Sequence, residues 1–249
     1  MMTKPTPAAD SAGKINSADR HAHRHRRNYQ TAAKPAPQSR FAIPNYVRNS
    51  PPHPLAEALP ASVSTDGSKT LRVAVLGGLE EIGRNCTLFE YGDDIIIIDL
   101  GLQFPEEDMP GIDYIIPNMS YLRGKEKNIR GVIITHGHYD HIGAIPHVMP
   151  ALGNPPLYAL PITNAIIKKR QEDFKELKPL NINNINTNDK LHLGSFEVSF
   201  FHLNHNIPDS TGVVVKTPEG VIIHTGDWKF DYQPTGEQPA DLQRIAQIG

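Results

Sequence analysis

Ten residues, Thr135 to Ala144 (THGHYDHIGA), hold the densest concentration of reactive side chains in the sequence. His136, His138, Asp140 and His141 fall within six positions. Imidazole nitrogens and carboxylate oxygens are donors that zinc accepts, and a catalytic zinc site leaves a position for water. His136 and His138 are separated by one residue, so in an extended turn both can face one cation. Asp140 and His141 then fall across the turn, toward a second. Two ions about 3.5–4 Å apart form the clamp used by many phosphoryl-transfer sites. Four potential ligands in so short a run have no packing rationale.

A site of this kind needs ligands from other strands, and the sequence offers two. His205, in NHNIPDS, follows an apolar strand pattern and opens a polar loop. Asp227, in TGDWKFD, follows another. Strand-end loops are where site residues are usually carried. Asp99 closes the run Ile95–Ile98, and a carboxylate at the end of a buried strand needs a partner. It is expected to hydrogen-bond neighbouring backbone and hold the metal loop rather than ligate. The remaining histidines read as structural. His147 is expected on a helix surface, and His192, His202 and His224 as packing residues in or beside strands. His53 belongs to an N-terminal tail.

The elements that must position these residues begin at Thr70. LRVAVLGG reads as a strand ending in a glycine turn. The loop Gly77–Asn85 has three glycines but no Walker lysine and no GxGxxG spacing, which argues against a nucleotide site. Cys86–Tyr91 reads as a strand and Gly92-Asp93-Asp94 as a hairpin turn. Ile95–Ile98 suits a strand buried on both faces. Pro105–Pro117 is an acidic surface loop. Arg130–Thr135 is the strand feeding the histidine motif. Ile145–Leu152 is expected to be a short helix, Leu157–Ala159 a strand and Ile162–Phe174 a helix. Phe196–Phe201 is a strand, and 213–216 pairs with 221–224 as a hairpin. Strands that are often hairpin-linked, with interspersed helices, favour a mixed α/β layered fold over a doubly wound parallel sheet.

Composition sets limits. The 22 prolines and 39% hydrophobic residues in 249 suggest a structured part joined to a poorly hydrophobic one. Residues 1–68 hold nine of those prolines, nine Lys/Arg and four Asp/Glu, a net of +5, against −7 for the remainder. They lack sustained periodicity and are expected to be a disordered basic extension, with 69–249 as the folded domain. Within the extension, HAHRHRRNY could grip phosphates, with Tyr29 to stack, and His21, His23 and His25 alternate as in a loose metal tract. A solvated tail is the preferred reading. A single cysteine, Cys86, excludes an internal disulfide and a thiolate zinc cluster within one chain, and fits a reducing compartment. No apolar run approaches the ~20 residues of a membrane span, and the N-terminus has no secretory signal pattern. A soluble cytoplasmic protein is the expectation.

Taken together, GGLEEIGRN, THGHYDHIGAIP, NHNIPDS and TGDWKFD resemble the metallo-β-lactamase fold hydrolases, from about Leu71 to Asp231. Within these, the combination is similar to the ribonuclease J family of the β-CASP branch, which acts on nucleic acid. The resemblance implies an αββα sandwich with a metal site at one edge. His136, His138 and His205 would hold a first zinc. Asp140 and His141 would hold a second, with Asp227 bridging and Asp99 supporting the loop; manganese is an alternative metal. The implied activity is hydrolysis of RNA phosphodiesters, 5′-exonucleolytic and endonucleolytic, in RNA processing and decay. Asp140 would also be placed to accept a proton from the attacking water. The family's full-length proteins are expected to form homo-oligomers. They continue beyond TGDWKFD with the β-CASP domain, RNA-gripping residues and a last metal-site histidine. The sandwich and the second metal position are therefore expected to be incomplete within these 249 residues, and the stretch alone weak or inactive. Two other readings stand beside this one. One is a small-molecule metallo-hydrolase of the glyoxalase II or lactonase kind. The other is a non-catalytic RNA-binding or assembly module.

Overall fold

Ile95–Ile98 is the most deeply buried run of the sheet that carries it, with all four residues 0% exposed. Full burial of an isoleucine contributes about 1.5–3 kcal/mol. Their alternation decides the layering. Ile95 and Ile97 pack with Leu88, Val132, Ile142 and Val148 on one face. Ile96 and Ile98 pack with Phe89, Phe196, Phe200 and Val213 on the other. The run sits in β3 (Asp94–Ile98) of a six-stranded sheet. The structure is a computed structural model and describes residues 69–248; the expected disordered extension, with Tyr29, its histidines and His53, lies outside them.

The first sheet has the order β1 (Leu71–Gly77), β2 (Cys86–Tyr91), β3, β4 (Ile129–Ile133), β5 (Leu157–Ala159), β6 (Ile182–Asn184). The β1–β2–β3 pairs are antiparallel, and β3 to β6 run parallel. The second sheet is antiparallel, in the order β10 (Gly220–His224), β9 (Thr211–Thr217), β8 (Phe196–His202), β7 (Lys190–Leu193). Ile96, Ile98, Val198, Phe200 and Val215 fill the space between the sheets. Two one-turn helices, α1 (Tyr139–Ile142) and α2 (Ile145–Val148), contribute Ile142, Ile145 and Val148 to the outer face of the first sheet, where Ile167 of α3 (Pro161–Gln171) joins them. Ile245 and Ile248 of α4 (Leu242–Ile248) cover Phe201 and Val214 on the outer face of the second. The result is a helix–sheet–sheet–helix sandwich, as the resemblance implied.

This topology gathers one edge. β3 and β4 are parallel, so Asp99 and the histidine motif leave the first sheet at the same end. β8 and β10 are each antiparallel to β9, so the loops carrying His205 and Asp227 leave the second sheet together. Backbone contact joins the two ends: Thr211 N–H donates to Thr135 O at 3.0 Å.

The elements differ from expectation where a tertiary contact intervenes. β4 ends at Ile133, before the expected Thr135, because the backbone N–H of Thr135 turns to the Asp99 carboxylate. The helix expected over Ile145–Leu152 is a single turn, Ile145–Val148, preceded by another single turn, Tyr139–Ile142, within the histidine motif; Ala144 N–H bonds Leu100 O at 2.9 Å between the two. Of the expected hairpin turn, only Gly92 and Asp93 turn, and Asp94 opens β3. Asp94 then accepts from Arg130 Nε at 2.5 Å and Ser195 N at 2.8 Å, tying the two sheets together. β6, β7 and α4 span only three, four and seven residues, too short for a readable pattern.

Two histidines require correction. His147 is half-buried rather than on a surface: it stacks on Tyr114 at 4.3 Å and meets Phe174 edge-on at 5.2 Å. Burial, aided by Arg170, lowers its pKa to about 4. His192 is exposed on β7 rather than packed, since its neighbours Leu191 and Leu193 take the inner positions.

Candidate metal centre

Asp99 is the hinge of the site. It is 1% exposed and adopts a left-handed φ of 64° where β3 ends. Its Oδ1 accepts from Thr135 N at 2.8 Å, and its Oδ2 from Thr135 Oγ1 at 2.9 Å. Its Oδ2 also lies 2.8 Å from His141 Nδ1. A carboxylate can only accept there, so His141 Nδ1 carries the proton and Nε2 faces the site. A similar argument applies to His136. Thr135 Oγ1 gives its proton to Asp99 and lies 3.0 Å from His136 Nδ1, which must then donate, leaving Nε2 as a bare lone pair.

The motif is clamped from both sides. His138 is the N-cap residue of α1. Leu100 N–H bonds His141 O at 2.8 Å and Leu102 N–H bonds Tyr139 O at 3.1 Å. Gly101 makes this approach feasible: a β-carbon there would stand 1.5 Å from Asp140 O. On the other side, Asp209 Oδ2 accepts from Ile162 N at 2.7 Å, anchoring the His205 loop to the start of α3. Gly226, at φ 56°, packs against Thr135 and turns Asp227 inward.

All the candidate ligands converge. The donor atoms of His136, His138 and His205 lie within 4.8 Å of one another, and so do those of His136, His141 and Asp227. His138 Nδ1 is 3.1 Å from His136 Nε2 and 3.2 Å from His205 Nε2. Around a tetrahedral ion with bonds of about 2.0–2.1 Å, two nitrogens stand about 3.4 Å apart. With His136 Nε2 a bare lone pair, ring nitrogens this close to it and to one another must share a proton or a cation, so the residues fit a metal. Asp227 Oδ1 is 3.5 Å from His141 Nε2, and its Oδ2 is 3.7 Å from His205 Nε2. Asp140 Oδ2 is 3.5 Å from His141 Nε2. Depth is graded: His136 is 0% exposed, whereas the Asp227 side chain is 44% exposed at the mouth. A cleft of about 290 Å³ opens beside Asn85, His141, His224 and Asp227.

Electrostatics separate the rings. Burial, with His141 nearby, lowers the pKa of His136 to about 4, so it is neutral and able to ligate at pH 7. Burial likewise depresses His205 and His224. For His141 burial works against the charge, but Asp99, Asp140 and Asp227 outweigh it and push the ring up to about 12. The hydrogen bond from His141 holds Asp227 down to about 2 against its own desolvation. Three carboxylates around one ring make this a place for positive charge, whether a proton or a metal cation.

Asn85 was not singled out from the sequence. Its side-chain Nδ2 lies 3.0 Å from Asp140 O and 3.1 Å from His141 Nε2. The glycines of its loop drew attention; an asparagine before a strand carries no comparable signal. His224 accepts from Gly226 N–H at 3.1 Å and so supports the Asp227 turn. Cys86 is buried, and burial raises its pKa.

The chain belongs to the metallo-beta-lactamase superfamily, whose family model matches residues 79–236. Within it, the chain is 45% identical over 177 residues to ribonuclease J 1 of Streptococcus pyogenes, covering 71% of this chain and 31% of that protein. It is 38% identical over 183 residues to ribonuclease J of Synechocystis, covering 73% and 29%. It thus spans about a third of the length of these curated relatives. A solved structure from Enterococcus faecalis, of a protein of unknown function, shares the fold with a TM-score of 0.51 at 21% identity, covering 66% of this chain and 44% of that one. Among the described residues, no helix is long and apolar enough to cross a membrane.

Proposed function

We propose that this chain carries the metal-binding part of a ribonuclease J-type hydrolase, which cleaves RNA phosphodiester bonds from the 5′ end and internally. The observation that carries the reading is the pair of donor sets on one sheet edge, with one Asp227 oxygen near His141 and the other near His205. His136, His138 and His205 would hold one zinc. Asp140, His141 and Asp227 would hold a second, with Asp227 shared; manganese is an alternative occupant. When bound, such ions polarise phosphoryl oxygens and acidify water.

The chain's own residues set the terms of the reaction. His136 closes the floor of the site to solvent. Asp99 fixes the His141 tautomer. The hydrogen bond to His141 keeps Asp140 ionised despite its burial. Its carboxylate can therefore take a proton from an attacking water at neutral pH. RNA is the proposed substrate and partner, and the whole protein is proposed to be a cytoplasmic homo-oligomer.

Incubating the purified chain with zinc or manganese and a 5′-monophosphorylated RNA tests this, with a thioester and a lactone in parallel. Metal-dependent RNA cleavage supports the reading. Turnover of thioester or lactone without RNA cleavage would make it a small-molecule hydrolase. Tight RNA binding that survives alanine at His136 and His138, without cleavage, would make it a binding module.

A further inference from the structure

Asn85 is tied to Asp140 more tightly than its place on another loop requires. Its backbone N–H and its side-chain Nδ2 both bond the carbonyl oxygen of Asp140, each at 3.0 Å. Nδ2 also lies 3.4 Å from Asp140 Oδ2. Its own carbonyl accepts from Gly101 N–H at 2.9 Å, so the residue is fixed from behind. Room for the amide comes from Gly78, at φ 89°, where a β-carbon would stand 2.4 Å from Asn85 Oδ1. The three-glycine loop that failed as a nucleotide site thus has a different use: it seats one amide.

We infer that Asn85 is a positioning residue that sets the backbone and carboxylate of Asp140, and thereby selectively tunes the cation position of Asp140, His141 and Asp227. The three-histidine position receives no contact from Asn85. Positional donors of this kind orient ligands, and their loss costs about 10–100-fold in metal affinity. Only an amide of this length reaches both Asp140 oxygens. A carboxylate would repel Asp140, and an alanine would reach neither.

The inference rests on the two-position reading of the site, but its test needs no RNA. The metal-free chain is titrated with zinc by calorimetry, alongside Asn85→Ala and Asn85→Asp. Wild type is expected to bind in two steps, the weaker at the position of Asp140, His141 and Asp227, which the family resemblance leaves one ligand short. In both variants one step weakens at least tenfold and the other stays within twofold. Melting in chelator separates this from a folding defect, and Asn85→Asp, nearly isosteric, serves if Asn85→Ala does not fold. A single wild-type step, equal weakening of both steps, or no change in either overturns the inference. Two normal wild-type steps without RNA turnover would sink the proposed activity and leave this assignment standing.

Discussion

Asp99 Oδ2 and His141 Nδ1 stand 2.8 Å apart with both side chains at most 2% exposed. The pair lies between the parallel strand ends and joins fold to site. Asp99 also holds Thr135, the residue before His136. Removing one partner from a buried pair leaves the other charge uncompensated, at a cost of about 3–5 kcal/mol. Asp99→Asn keeps the volume and removes the charge. It is expected to lower the stability of the metal-free chain by that order, read from urea unfolding. A loss below 1 kcal/mol would show that the pair does not hold the strand ends.

The candidate site was legible in the sequence because its residues are chemically rare and locally crowded. His136, His138, Asp140 and His141 announce themselves within six positions, and His205 and Asp227 sit at strand ends. Ile95–Ile98 likewise revealed the central strand. What could not be read depends on contacts across the fold. Asn85 acquires its role only when its loop closes on Asp140, fifty-five residues away. His147 looked like a surface residue because nothing local places Tyr114 against it. β7 stayed hidden because a strand at a sheet edge with exposed Lys190 and His192 carries little hydrophobic pattern.

His147 gives a pH prediction. Its folded pKa is about 4, against an ordinary 6.5, because burial and Arg170 disfavour the charged ring. Between these values the unfolded chain takes a proton that the folded chain refuses, so stability falls as pH drops from about 6.5 toward 4. His136, depressed to about 4, adds a slope of the same sign without metal. His147→Gln is expected to flatten the decline in melting temperature between pH 7 and 4.5. An unchanged slope would show that His147 titrates normally.

Gly101→Ala tests the clamp on α1. The added methyl would stand 1.5 Å from Asp140 O, so the 99–102 segment or the turn after His138 must move. Overpacking of this kind costs about 1–3 kcal/mol. Zinc affinity is expected to fall alongside, measured by competition with a chromophoric chelator. Wild-type affinity in a folded variant would mean that the close approach is not needed to place Asp140.

Core and edge can be compared directly. Ile97 is 0% exposed and Val221, on the edge strand β10, is 49% exposed. Ile97→Ala is expected to cost about 2–5 kcal/mol. Val221→Ala should stay within about 0.5 kcal/mol. Denaturant midpoints decide; similar losses for the two would place the core elsewhere.

The most direct test of the two-position centre is the metal content of the loaded, dialysed protein, determined by elemental mass spectrometry. The three-histidine set and the set around His141 share one sheet edge, but only the first needs His205. With free zinc kept in the dialysis buffer, wild type is expected to retain two zinc ions per chain, the one beside Asp140 and His141 more weakly held, and His205→Ala one. Two ions retained by His205→Ala, or none by the wild type, would contradict the account.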